Sequence, residues 1–467
     1  MKKLAILAVL AVMVLGLAGT ASAVDLEAKG QFQFQANIAD NFDFLSAKDN
    51  GQREDDLNFW FRARTQFRFI ANENLMSELY FEYKTRVGAT AASIAGGASD
   101  RTIGVKRAFI QYRFPGTEVL TNAGIFSINL PGAATGNMVL GDLDAGALAI
   151  STPITDQIAV SVGYVRAYDV NATDQSTYGV SSLNQKEELD LFYAAVPVTI
   201  DGLEATPYFM YGAIGKDTFS AVATLPGLTT PGASAFNKNV SAWWAGTSFS
   251  LNMFDPIVFD ADVVYGNVDA NKKNNDRSGW MFDAALTYTG MDFVKPRLAF
   301  AWSSGEDDKT DNGSERLPIV NNDWAIAGST YFGGSALTGT VDMDSNAQAG
   351  FWTIGLSFED ISFLDKLTHD IHFLYVKGTN DKDLIKNAAA NSLTNISADG
   401  RFLTTDDQVF EVDFNTNYQI YDELAAIVEF GYVNADLKKS TWEAYDANRA
   451  GKDDPALKFA LGLVYKF

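Results

Sequence analysis

The feature that most constrains this chain is a polar–apolar alternation of period two, repeated along almost its whole length. In "LNFWFRARTQFRFIA", Leu57, Phe59, Phe61, Ala63, Phe67 and Phe69 share one parity, while Asn58, Arg62, Arg64, Gln66 and Arg68 share the other. "LMSELYFEYKTRV" sets Leu75, Leu79, Phe81 and Tyr83 against Glu78, Glu82, Lys84 and Arg86, and "LKFALGLVYKF" alternates up to the last residue, Phe467. Period two places successive side chains on opposite faces of an extended strand, whereas a helix needs a period of 3.6. The segments begin near residues 28, 57, 75, 104, 119, 145, 157, 187, 204, 240, 257, 279, 294, 350, 367, 408, 424 and 456. That is about eighteen strands, each near the length that crosses a bilayer as a tilted β-strand.

The connections alternate in length. "NEN" (72–74), "PGTE" (115–118), "TD" (155–156), "MFDP" (253–256) and "YDE" (421–423) are short, whereas 42–56, 89–103, 169–186, 216–238, 303–349, 378–407 and 434–455 are long and rich in Asp, Asn, Gly, Ser and Thr. Short turns at one end and long polar loops at the other describe a transmembrane antiparallel β-barrel, with periplasmic turns and extracellular loops. The expected fold is all-β, with 18 strands or alternatively 16. A secreted β-sandwich or propeller also alternates, but two features oppose it. Aromatic residues flank the apolar faces, as at Trp243, Trp280, Trp302 and Tyr465, and aromatic girdles belong at lipid interfaces. A final strand that runs to the chain end also needs a partner, and a closed barrel supplies one.

The opening "MKKLAILAVLAVMVLGLAGTASA" has a basic start, an apolar run and the small residues Ala21–Ser22–Ala23, so residues 1–23 are expected to be a signal peptide. Residues 24–467 then form one barrel domain, exported to a Gram-negative outer membrane. There is no cysteine, so an exported chain must draw its stability from a large fold. The net charge of −22 disfavours nucleic acid as a partner.

A barrel of this size encloses water, and charge placed on its lipid face costs several kcal/mol at mid-depth. The polar parities are therefore expected to face a lumen. Arg62, Arg64, Arg68, Lys84, Arg86, Arg107 and Arg113 form a basic ladder on the second to fourth strands. They either line the passage or pair with Glu78 and Glu82 as salt bridges within the wall. Asp260, Asp262, Glu411 and Asp413 lead an acidic set that also includes Glu188, Asp190, Asp283, Asp370 and Glu429. With the overall charge, this set predicts a modest cation preference.

"AKGQFQFQANIADN", "VKRAFIQYRFPGTEVLTNAGI" and "LPGAATGNMVLGDLDAGALAIS" resemble the outer membrane homotrimeric porin family of sulfate-reducing bacteria, best over residues 24–215 and at the C-terminal strand. The tail with Gly462, Tyr465 and Phe467 is similar to the terminal signal read by the outer-membrane assembly machinery. The resemblance implies a homotrimer in lipid and lipopolysaccharide that acts as a passive diffusion channel for ions and small hydrophilic solutes. The alternatives are a substrate-specific channel and a non-conducting adhesion or structural barrel. The resemblance also implies that the loop 129–146 folds inward as the constriction, with Asp142 and Asp144 on its rim facing Arg62, Arg64 and Arg107.

No cofactor is expected, nor an enzyme: the only histidines, His369 and His372, lie three apart on a strand and so face opposite ways. Within "GEDDKTDNGSE", Asp307 and Asp311 are candidate Ca²⁺ ligands, although a solvated acidic loop explains them as well.

Overall fold

The computed structural model describes residues 24–42, 44, 55–87, 103–169, 188–216, 218, 226–228, 238–270, 272–309, 311–321, 323–337, 339–340, 350–386, 402–445 and 453–467. The expected signal peptide lies outside the described residues, as does most of the long loops at 89–103, 169–186 and 216–238.

Eighteen strands close into one antiparallel barrel. They are β1 (Asp25–Asp40), β2 (Asp55–Asn72), β3 (Leu75–Arg86), β4 (Gly104–Arg113), β5 (Leu120–Ile128), β6 (Leu143–Pro153), β7 (Ala159–Asp169), β8 (Glu188–Ala195, resuming at Val198–Ile200), β9 (Leu203–Ile214), β10 (Val240–Phe254), β11 (Ile257–Asp269), β12 (Arg277–Tyr288), β13 (Lys295–Ser303), β14 (Phe351–Leu364), β15 (Leu367–Gly378), β16 (Gln408–Tyr421), β17 (Leu424–Asp436) and β18 (Ala456–Lys466). Both pieces of β8 pair with β9, and the break falls at Pro197, which has no N–H to give a ladder. Every strand pairs with its neighbours in the chain, and β1 also pairs with β18 through Phe34↔Leu463 and Ala36↔Leu461. The alternative of 16 strands is thereby excluded.

One parity of each strand faces out. Phe32, Phe34, Leu148, Phe209, Phe282, Phe300, Leu356, Phe373, Leu461 and Leu463 stand on the outer surface and are exposed. Each such side chain left in water would forfeit about 1.5–3 kcal/mol of burial, so a continuous band of them around a closed wall is a surface for lipid. Toward the loop-bearing end the band carries a run of aromatics, with ring centroids 5.3 Å apart for Trp243–Tyr265 and 4.7 Å for Tyr265–Trp280. No helix among the described residues is long and apolar enough to cross a membrane; the strands do so.

The interior is not open throughout. The β5–β6 connection (129–142) and, of the β13–β14 connection, the described residues 315–321 and 323–337 turn inward and meet. Gly136–Asn137 pairs with Asp323–Trp324, Val320 N donates to Val139 O at 2.9 Å, and Gly141 N donates to Asn321 O at 2.6 Å. Their apolar residues, among them Leu130, Val139, Leu140, Leu317, Ile319 and Ile326, bury against Leu189, Leu191, Met210 and Trp244 of the wall. One sector of the barrel is therefore apolar on both faces.

Candidate functional site

The polar parity of β1 to β4 remains the water-facing part of the lumen. Cross-strand register stacks it into rows: Gln33, Arg62 and Lys84 in one, and Gln31, Arg64 and Glu82 in the next. Below them run Lys29, Gln66 and Tyr80, then Glu27, Arg68 and Glu78. Glu82 accepts from Arg62 Nε at 2.9 Å and from Arg64 Nε. Glu78 accepts from Gln66 at 2.6 Å and from Arg68 Nε at 3.0 Å. Lys84 lies 5.3 Å from the Trp60 ring centroid and Arg107 lies 5.6 Å from that of Tyr80. Both cations thus rest on aromatic faces. The wall salt bridges anticipated from the sequence are present, yet the cations outnumber Glu78 and Glu82, so a basic stripe remains along these strands. Arg113 pairs with Glu118 at 2.8 Å, at the turn-bearing mouth rather than inside.

The loop expected to narrow the lumen does fold inward, with Met138, Val139 and Leu140 buried. Its details differ from expectation. It ends at Asp142, which stands at φ 43°, and Asp144 belongs to β6, opposite Ser127. Arg107 reaches both carboxylates, with Nη2 3.2 Å from Asp142 Oδ1 and Nε 2.6 Å from Asp144 Oδ1. Lys106 also bonds Asp144. A register shift between β3 and β4 skips Lys106, and a bulge of this kind lets adjacent residues serve one partner. Arg62 and Arg64 instead bond Glu82 on the adjacent strand. Asp323, from the second inward segment, joins Asp142; partial burial raises its carboxyl above the ordinary range, and the Asp142 charge raises it further.

The acidic wall has a different environment. Asp262 accepts from the backbone N–H of Ala133 at 2.9 Å and of Ala134 at 2.7 Å. Asp283 accepts from Thr135 and, at 2.9 Å, from Trp324 Nε1. Glu411 accepts from Tyr331 N and Phe332 N, both at 2.9 Å, and Asp413 from Ser329 N at 3.1 Å and from Thr330 Oγ1. Glu429 accepts from Ser335 Oγ and from Lys458 Nζ at 2.8 Å. Glu411 and Asp413 do point inward, but the inward segment covers them; they anchor it instead of lining water. Arg297 completes the attachment by donating to Ile326 O at 2.9 Å and Ala134 O at 2.6 Å, one from each segment. Asp260 also points inward, one row nearer the turns, and stays half-buried.

Glu188 and Asp190, expected on the lumen side, are on the outer parity, where Asp190 holds Arg166 at 2.9 Å. The inner parity there is Leu189 and Leu191, fully buried under the inward segments. His369 and His372 take opposite faces, bonding Thr416 and Ser357 respectively. Asp307 accepts from Lys309 N and Asn312 Nδ2, each at 2.8 Å, so its carboxylate shapes its own turn. No group of three potential metal ligands converges among the described residues.

The inward stretches 315–321 and 323–337 are the part of the site that the sequence reading missed. Its signal was present in the wall. Gly266, Gly279, Gly431 and Gly462 sit at inward positions where a Cβ would collide with Pro318, Leu317, Thr330 and Leu337 respectively.

These features define a closed, eighteen-stranded membrane barrel partly filled by its own loops. Solved structures share that architecture. The chain is similar to the outer membrane protein OprD of Pseudomonas aeruginosa, with a TM-score of 0.52 and 12% identity over 96% of this chain and 95% of that one. It is similar to OccAB3 of Acinetobacter baumannii, with a TM-score of 0.54 and 10% identity over 95% and 99%. It is also similar to OccK11 (OpdR) of Pseudomonas aeruginosa, with a TM-score of 0.51 and 11% identity over 94% and 96%. At such identities the likeness is one of fold. No family model matches the chain, and no curated protein does. The resemblance to homotrimeric porins therefore rests on the quoted motifs alone.

Proposed function

We propose that the protein is an outer-membrane channel for small hydrophilic solutes, and that the solutes it favours carry a carboxylate or another anionic group. One observation carries the second part. The basic stripe of β2 and β3 holds more cations than carboxylates, with Lys84 and Arg86 exposed, while Asp262, Asp283, Glu411 and Asp413 of the opposite wall are bonded by N–H and O–H groups of the inward segments and Glu429 by Ser335 and Lys458. A solute in the gap meets cations on one side and mainly Asp323 and small residues of the inward segment on the other, Asp142 being held by Arg107. Such a transverse arrangement orients a dipolar solute with its anion on the stripe. The cation preference expected from the acidic residues loses Asp262, Asp283, Glu411, Asp413 and Glu429 from its basis. It retains Asp260 and Asp370 toward the turn-bearing end, so it stands as the second reading.

Reversal potentials in a KCl gradient separate the two. Preference for chloride, with single-channel block by small carboxylates, supports the stripe; preference for potassium supports the acidic end. Absence of conductance would return the chain to the adhesion or structural alternative. We retain the homotrimer within this proposal, on the small outward residues Ala63, Ala108 and Ala123. Cross-linking in mild detergent should give a three-chain species.

A further inference from the structure

We propose that the turn-bearing mouth of the lumen holds a solute site built by Glu27, Arg68, Arg113, Ile70, Met76 and Leu120, and that this site takes a zwitterion with an aliphatic side chain, such as a neutral α-amino acid. The inference rests on the channel reading above and gives it a solute class at a place that no motif marks.

The inward parity of β2 and β3 is polar until its last row before the turn. After Arg68 the next inward residue of β2 is Ile70, and it pairs with Met76, the first inward residue of β3. Across the following turn, Leu120 of β5 stands opposite Arg113. These three apolar side chains are half-buried, and they belong to neither of the apolar clusters that the inward segments form with the wall. Apolar surface left toward water forfeits its burial energy, and the apolar part of a solute would recover it.

The three line a hollow of about 290 Å³ together with Glu27, Arg68 and Arg113. That is below the usual size of a pocket for a drug-sized ligand, so it suits a solute of few heavy atoms. Its charged groups have spare capacity. Among the described residues Arg68 gives Nε to Glu78 and Arg113 gives one Nη to Glu118, so each guanidinium keeps further N–H donors for a carboxylate. Glu27 stands opposite Arg68 in the ladder but forms no ion pair with it, and its carboxylate can accept an ammonium. The lining balances two guanidiniums against Glu27 and Glu73, and Glu78 and Glu118 add negative charge beside it. A simple anion is therefore disfavoured there, while a molecule carrying both charges is matched. A charged side-chain end would be set against Ile70, Met76 and Leu120 without a partner, which costs free energy; an aliphatic one is not penalised.

Saturation-transfer NMR on the full chain in lipid nanodiscs tests the site with leucine, glycine, arginine and isocaproate, the last being leucine without its amine. Unheated gel mobility establishes that each barrel is closed. Leucine should bind about tenfold more tightly than glycine, with its methyl groups taking most of the saturation, and more tightly than arginine or isocaproate. Met76→Ser with Leu120→Ser should erase the advantage over glycine. Glu27→Gln should weaken leucine about threefold and bring isocaproate level with it. Isocaproate or arginine binding the parent as tightly as leucine overturns the proposal, and so does leucine binding that both closed-barrel variants leave unchanged. Planar bilayers test the parent separately. Leucine binding without conductance overturns the channel reading and leaves the site standing, whereas conductance without leucine binding overturns the site alone.

Discussion

Phe467 is docked on Gly30. The terminal residue donates its N–H to Gly30 O at 3.1 Å and accepts the Gly30 N–H at 3.0 Å. Its ring covers the spot where a Cβ on Gly30 would stand. Phe32 and Tyr465 flank it, each with a ring centroid 5.9 Å from that of Phe467. The last row of the β1–β18 pairing is thus closed by two backbone bonds and an aromatic cluster. Gly30→Val should displace the ring and loosen this row, while Phe467→Ala should cost about 1 kcal/mol from the lost aromatic contacts. Urea unfolding in lipid vesicles measures both, and stability equal to the parent in both variants would show that the ring contributes nothing to closure.

Lys458 and Glu429 form a pair buried to 0% and 1% side-chain exposure. Removing one member leaves the other charged and uncompensated, so Lys458→Met should destabilise the barrel by about 3–5 kcal/mol. Lys458→Met with Glu429→Gln should recover a large part of that loss. A double-mutant cycle in denaturant reads the coupling; strict additivity of the two losses would mean that the pair is not coupled.

Gly431 lies under Thr330, and a Cβ there would overlap the threonine hydroxyl and its Cβ. Because neither atom is the free end of a flexible chain, Gly431→Ala should lift the inward segment from the wall. The expected results are a larger and noisier conductance and a stability loss of about 1–3 kcal/mol. Thr330→Gly in the same chain should reverse part of both. If Gly431→Ala conducts and unfolds like the parent, the segment is not held against β17 at this point.

Much of the barrel was legible in the sequence, because a strand with lipid on one side and water on the other must alternate. All eighteen strands begin close to where the alternation begins. The reading failed where the lumen is filled. Around Leu189 and Leu191 the inward face is as apolar as the outward one, so Glu188 and Asp190 looked like lumen residues by contrast with their neighbours. In Glu411 and Asp413 the inward assignment held, but alternation does not show whether a carboxylate meets water or a peptide N–H. The segment that covers them lies in a long polar connection, and only the inward glycines, read together across several strands, pointed to something resting on the wall.

Arg62 and Arg64 share Glu82, so neutralising both arginines removes more cation than carboxylate from the stripe. Arg62→Ala with Arg64→Ala should move the reversal potential toward cation preference. Asp142→Asn with Asp144→Asn should release Arg107 and Lys106 and move it toward anions. These ion pairs lie within the wall at partly exposed sites, where each is worth about 0.2–1 kcal/mol, so stability should change little. Asp307→Asn with Asp311→Asn is the control. A shift as large in the control as in the Asp142 and Asp144 variant would show that charge at the rim acts only through the overall charge.

The inward segment has an implication for timing. Its last anchor needs Gln33 of β1, Glu429 of β17 and the hollow at Gly462 of β18 at once. Those residues come from the two ends of the chain, and they become neighbours only when β18 meets β1. While strands are still being added, the Leu337 end of the lining has no seat, although Asp283, Arg297 and Glu411 on earlier strands can already hold the rest. The final seating of that end is therefore a closing event of assembly, one that a chain lacking its final strand would never reach.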